Sequence, residues 1–109
     1  MNRRTVLLAA LAALAAGQAQ AQEVRNREAN QQRRIGQGVA SGQITAGEAR
    51  RLEGREQRIN ASRRADLAAH GGHLTPQEYR NLNRRENAAS GAIYADKHNL
   101  RTQPGVAPR

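Results

Sequence analysis

A unit of thirty residues used more than once leaves a short chain few folds to choose from. The segment GQITAGE, residues 42–48, returns as GHLTPQE, residues 72–78. Aligning residues 25–54 with 55–84 gives nine identities: Arg25/Arg55, Asn30/Asn60, Arg33/Arg63, Arg34/Arg64, Gly42/Gly72, Thr45/Thr75, Glu48/Glu78, Arg50/Arg80 and Leu52/Leu82. Ile44/Leu74 is a close match, and a third partial copy opens at Arg85-Glu86, echoing Arg55-Glu56. A repeat of this length is one supersecondary unit, a helix with its connector, that must cover its apolar side with its neighbours.

The spacing of apolar residues identifies the unit. Leu52, Glu56 and Ile59 after Ala49, and Leu82, Glu86, Ala89 and Ile93 after Tyr79, recur every three or four positions, as one stripe of a helix does. Val24, Glu28, Gln31, Ile35 and Val39 form a weaker third stripe. No stretch alternates as a strand would. The pattern predicts an all-α protein of three helices, about 24–40, 46–69 and 76–97, in antiparallel hairpins joined by short Gly-rich turns. After Asn99 the sequence LRTQPGVAPR has two prolines and no period, and is expected to be a flexible tail over 100–109.

Thr-x-x-Glu is a capping box, in which the threonine hydroxyl accepts from the N–H three residues on and the glutamate reaches back to the threonine N–H. Thr45 with Glu48, and Thr75 with Glu78, are therefore the expected starts of the second and third helices; Pro76 suits a first helical position. Gly42 and Gly71-Gly72 sit where the preceding helices must stop. Gly54 is the one weak point between Ala46 and Ala69, costing about 1 kcal/mol against alanine, which leaves a single continuous helix roughly 36 Å long and places the two motifs at opposite ends of the array.

The chain begins as an export signal does. Arg3 and Arg4 precede a twelve-residue apolar run, Thr5–Ala16, and Ala19-Gln20-Ala21 has the small-x-small form of a cleavage site. Residues 1–21 are expected to be removed as a signal peptide, leaving residues 22–99 as a helical repeat domain with no transmembrane segment, because twelve apolar residues cannot span a bilayer that needs about twenty. Absence of cysteine excludes both a lipid anchor and a disulfide framework. The expected location is periplasmic or secreted.

Without Arg3 and Arg4 the 18 cations become sixteen, fifteen of them arginine, against nine carboxylates, a formal +7. Large aliphatics are scarce and each stripe is interrupted, by Glu28, Glu56 and Glu86, which nearby arginines are expected to neutralise. So thin a stripe predicts an extended set of hairpins that gains stability by homodimerising or by covering its apolar strip with an unfolded client.

Arginine doublets carry the remaining functional signal. Arg33-Arg34, Arg50-Arg51, Arg63-Arg64 and Arg84-Arg85 present guanidinium forks suited to phosphate or carboxylate, and are the candidate contacts for an anionic envelope component or a client. Adjacent helical residues point about 100° apart, so both members of a doublet cannot share one seam. With only two aromatic residues, Tyr79 and Tyr94, there is no stacking platform for specific nucleic-acid recognition. No nucleophile motif or phosphate loop is present, so the reading is non-enzymatic, with no cofactor called for. His70 and His73 in the HGGH turn are the weak candidates for a metal site, an alternative function.

Three likenesses accompany these residues. The arrangement of a signal peptide, RIGQGVASGQITAGEARRLEGREQRIN and GGHLTPQEYRNLNRRENAASGAIY resembles a group of small exported proteobacterial helical proteins of unknown function, over nearly the whole mature chain. The (Ile/Leu)-Thr-x-x-Glu element is similar to the Leu-Thr-x-x-Gln signature of Spy-type periplasmic chaperones, with Glu48 and Glu78 in place of the glutamine, which implies a chaperone-like role. Gly42, Ile44, Glu48 and Gly72, Leu74, Glu78 also match positions six, eight and twelve of an EF-hand calcium loop. Positions one, three and five there are Gln37, Val39, Ser41 and Leu67, Ala69, Gly71, none a carboxylate.

Overall fold

A computed structural model describes the backbone of residues 3–99 and the side chains of residues 14–99. It contains α1 (Arg3–Ala40), α2 (Ala46–Ala69) and α3 (Pro76–Lys97), each packed against both others in an up-down-up bundle, with no strand among the described residues. The all-α reading and the bounds of α2 and α3 agree with the periodicity. The tail expected at 100–109 lies outside the described residues.

Both capping boxes form. Thr45 Oγ1 accepts from the Glu48 N–H at 3.2 Å while Glu48 Oε1 accepts from the Thr45 N–H at 2.9 Å, and Thr75 and Glu78 repeat the pair at the same two distances. Together with Pro76 at the start of α3, these bonds satisfy amides that a helix beginning leaves without intrahelical partners. α2 ends in a Schellman turn: Gly71 takes φ +66°, and the Gly72 N–H reaches the Leu67 carbonyl at 2.9 Å.

α1 differs from expectation at its start, which is Arg3 and not the region of Val24. The intervening alanines and leucines are strong helix formers, and the single glycine there, Gly17, is tolerated. The helix runs unbroken through Ala19–Ala21. Ala21 is buried with Val24, Ile59, Leu74, Leu82 and Ala89, and the Gly17 carbonyl accepts from the Leu74 N–H at 3.4 Å in the α2–α3 turn.

The core has two apolar ends. That first cluster lies toward the α2–α3 turn; Ile35, Ile44, Leu52 and Ile93 form the second, toward the α1–α2 turn. Ile44 and Leu74, each one residue ahead of its cap, plug opposite ends of the bundle at 0% and 1% exposure. The expectation of an open apolar strip is therefore corrected. Three narrow stripes facing one axis cover one another, and the large hydrophobics exposed among the described residues are Leu14 and Tyr94.

Candidate functional site: an arginine cleft and a buried carboxylate layer

Each arginine doublet but one is split by the helical turn between its members. Arg33 is exposed, while Arg34 is half-buried and donates to Ser90 Oγ at 2.7 Å. Arg64 is exposed, while Arg63 is buried with its Nε 3.5 Å from Glu28 Oε2. Arg84 is exposed, while Arg85 donates across the α2–α3 seam to Ser62 Oγ at 2.7 Å. Arg50 and Arg51 both face solvent. Three of the eight candidate contacts, Arg34, Arg63 and Arg85, thus tie one helix to another.

The doublets do not converge on one site, but a different arginine set does. Arg55, Arg58 and Arg85 line a cleft of about 240 Å³ between α2 and α3, with Ile59 and Ala88 completing its walls and no carboxylate among the lining residues. Arg55 and Arg58 are exposed and make no hydrogen bond or ion pair within the described residues. Adjacency in sequence hides this set. The signal that finds it is Arg51, Arg55 and Arg58 at spacings of four and three, one face of α2.

Between the two apolar clusters lies a polar layer with one carboxylate from each helix. Glu28 of α1, Glu56 of α2 and Glu86 of α3 are 8%, 2% and 0% exposed, with Gln31 and Arg63 buried beside them. The expected neutralisation is corrected for two of the three. Arg63 is the partner of Glu28, but both carboxyl oxygens of Glu56 and of Glu86, with Glu28 Oε1 and Gln31 Oε1, have no hydrogen-bond partner. Gln31 spends its amide on the Glu86 backbone carbonyl, at 3.0 Å. Burial pushes Glu56 up to about 7, helped by the charges of Glu86 and Glu28 and opposed by Arg27 and Arg55. Burial likewise takes Glu86 to about 7, with Glu28 adding to the shift and Arg27, the nearby Gln31 amide and Arg85 opposing it; the Gln31 amide itself is aimed at the Glu86 backbone carbonyl, outside bonding distance of the carboxyl oxygens. Glu28 also rises through burial, against the pull of Arg63 and Arg64.

The HGGH turn is engaged in its own structure. His70 Nδ1 is 3.1 Å from the Asp66 carbonyl oxygen and 3.2 Å from Glu78 Oε1; the His73 ring lies 6.0 Å from that of His70, centroid to centroid. Burial acts to raise Glu78, but hydrogen bonds from Thr75 and the neighbouring His70 outweigh it and hold this carboxyl below its usual range. In the other motif Glu48 Oε2 accepts from Asn99 Nδ2 at 2.6 Å, so both of its oxygens are occupied within the chain. Among the described residues no three His, Asp or Glu side chains are arranged to hold a metal ion, and no helix is long and apolar enough to cross a membrane.

Comparison with protein-family models, with curated proteins and with solved structures finds no match to this chain.

Proposed function

We propose that this is an exported, non-enzymatic binding protein of the cell envelope, periplasmic or secreted, that contacts phosphate-bearing glycolipid surfaces through the arginine face of α2 and α3. The observation that carries the reading is the cleft of Arg55, Arg58 and Arg85, a concentration of guanidinium groups with no carboxylate in its lining. Guanidinium forks take phosphate oxygens two at a time, and Arg55 and Arg58, exposed and without a hydrogen bond among the described residues, give up none on binding. Arg51 and Arg84, exposed on the same two helices, extend the basic surface. The small-x-small Ala19-Gln20-Ala21 supports export. A client-binding, chaperone-like role has less support, because the apolar stripes that would receive a client are covered in the closed bundle.

Binding is tested with vesicles containing lipopolysaccharide, with neutral vesicles and a DNA duplex as comparisons. Arg55→Ala with Arg58→Ala should weaken lipopolysaccharide binding roughly tenfold or more and flatten its salt dependence, at about 1 kcal/mol for each basic side chain at an anionic surface. Arg33→Ala, off this face, should change it little. Equal binding by the double variant, or preference for the duplex, refutes the proposal.

A further inference from the structure

The polar layer contains more negative charge than the bundle neutralises. Glu28, Glu56 and Glu86 meet between two apolar clusters, and five of their six oxygens lack a hydrogen-bond donor. The surrounding cations are committed elsewhere or face outward. On α1, Arg27 is held by Asn83 and by Asn87, the latter at 2.6 Å, and Arg25 is exposed at the edge of a cleft that Glu28 and Glu56 line. On α2, Arg63 takes Glu28 and Asn60, while Arg55 and Arg64 lie in solvent. On α3, Arg85 is bound to Ser62. One buried guanidinium therefore faces three carboxyl groups, and groups so placed are not all ionised unless water reaches them; without water at least one holds a proton.

Water has a route on one side. This cleft, of about 320 Å³ between α1 and α2, is lined by Arg25, Glu28, Gln32, Glu56, Asn60 and Arg63 among others, so it reaches two of the three carboxyl groups from solvent, past the exposed Arg25 at its edge. We propose that the layer is a proton-operated latch: protonated, it lets the three helices close on one another, and ionised, it draws water through this cleft and loosens the α1–α2 seam. The sense is opposite to ordinary acid unfolding, in which protonation removes favourable carboxylate contacts. Here protonation removes both the repulsion between Glu28, Glu56 and Glu86 and the cost of holding their charges away from water. The near-neutral positions of Glu56 and Glu86 agree with this geometry and place the transition in the physiological range. Because the three acids interact, the layer titrates as a unit. Loosening the seam uncovers Val24 and Ile59, flanking residues buried at 1% exposure in the closed form.

The test uses the full chain. Carbon-13 NMR of the glutamate carboxyls in the unmodified protein should find at least two of Glu28, Glu56 and Glu86 titrating near neutrality; all three at the ordinary value of about 4.3 would overturn the proposal. Amide hydrogen exchange at Val24 and Ile59, corrected for intrinsic pH dependence, should show protection falling roughly tenfold from acid to mildly alkaline pH, a local opening and not global unfolding. In Glu56→Gln with Glu86→Gln the fall should be lost. Protection that does not change with pH in the unmodified chain, or that changes equally in the double variant, sinks the latch. If the double variant does not fold, the carboxyl titration decides alone.

Discussion

Two glycines two residues apart in α1, Gly36 and Gly38, separate conformational entropy from packing. A Cβ built on Gly36 meets nothing within 4 Å; one built on Gly38 lies 2.3 Å from Ile44 Cδ1, 2.6 Å from its Cγ1 and 3.3 Å from its Cβ. Alanine in a helix interior is favoured over glycine by about 1 kcal/mol, so Gly36→Ala should stabilise the bundle by roughly 0.5 to 1 kcal/mol. At Gly38 the same gain meets an overpacking cost of about 1 to 3 kcal/mol. The cost wins because Ile44 has nowhere to go. It is fully buried among Ile35, Leu52 and Ile93, and its own N–H is bound to the Gly38 carbonyl at 3.0 Å. Gly38→Ala should therefore destabilise by on the order of 1 to 2 kcal/mol, and at about 4 to 8 °C per kcal/mol for a domain this size the two variants should melt roughly 10 °C apart. Thermal melts followed by far-ultraviolet circular dichroism read this directly. Ile44→Val removes the Cδ1 atom that makes the closest contact, and should restore part of the loss in the Gly38→Ala background, a coupling of about 0.5 kcal/mol or more. Gly38→Ala melting with or above Gly36→Ala would show that the α1–α2 turn yields freely, and that Ile44 does not fix it.

Further expectations concern the caps, the acids and the beginning of α1. Thr75→Ala with Glu78→Ala removes both halves of a capping box and should cost about 1 to 2 kcal/mol in the same melts, with an unchanged melting temperature refuting the role assigned to the repeat. Glu56 loses its proton near pH 4.5 when unfolded and near 7 when folded, so between these the folded state holds more protons and raising pH removes stability. Its contribution is whole below pH 4.5 and gone above about 7. At about 1.4 kcal/mol per tenfold change in proton affinity, the ceiling is roughly 3 kcal/mol. Denaturant titrations of the unmodified chain and of Glu56→Gln should thus converge at acid pH and separate in favour of the variant at pH 8; no separation would refute the assignment. A chain starting at Gln22 loses the buried Ala21 and the Gly17 carbonyl that meets Leu74, and should be less stable than the full chain by about 1 kcal/mol. Equal melting temperatures would show that this end of α1 adds nothing to the core.

The helices and their punctuation were legible because they depend on neighbours in sequence. Thr45 and Glu48, or Thr75 and Glu78, lie three residues apart and complete their bonds within one turn, whatever the rest of the chain does. The carboxylate layer was not legible for a related reason. Arg55 and Arg85 stand next to Glu56 and Glu86 in sequence and suggest neutral pairs, yet neighbours on a helix point about 100° apart, so burying the glutamate turns its arginine outward. The same rotation splits the doublets and gathers Arg55, Arg58 and Arg85 from two helices over one cleft. The long start of α1 departs from expectation because residues 1–21 have the pattern of an export signal, which sets them apart from the repeat domain, although their alanines and leucines favour a helix continuous with it.

An odd number of passes gives the bundle two unlike poles. α1 enters past the α2–α3 turn, where Leu74 meets Gly17; Asn99 ends the described chain at the other pole, on Glu48 beside the α1–α2 turn. The pole at the α2–α3 turn and the pole at Asn99 are therefore kept apart by the length of α2, roughly 36 Å for its 24 residues. The arginine cleft faces sideways between those poles, on the flank formed by α2 and α3. A tether at either end leaves that flank clear, so the molecule can be fixed at one pole and still lie lengthwise along an anionic surface.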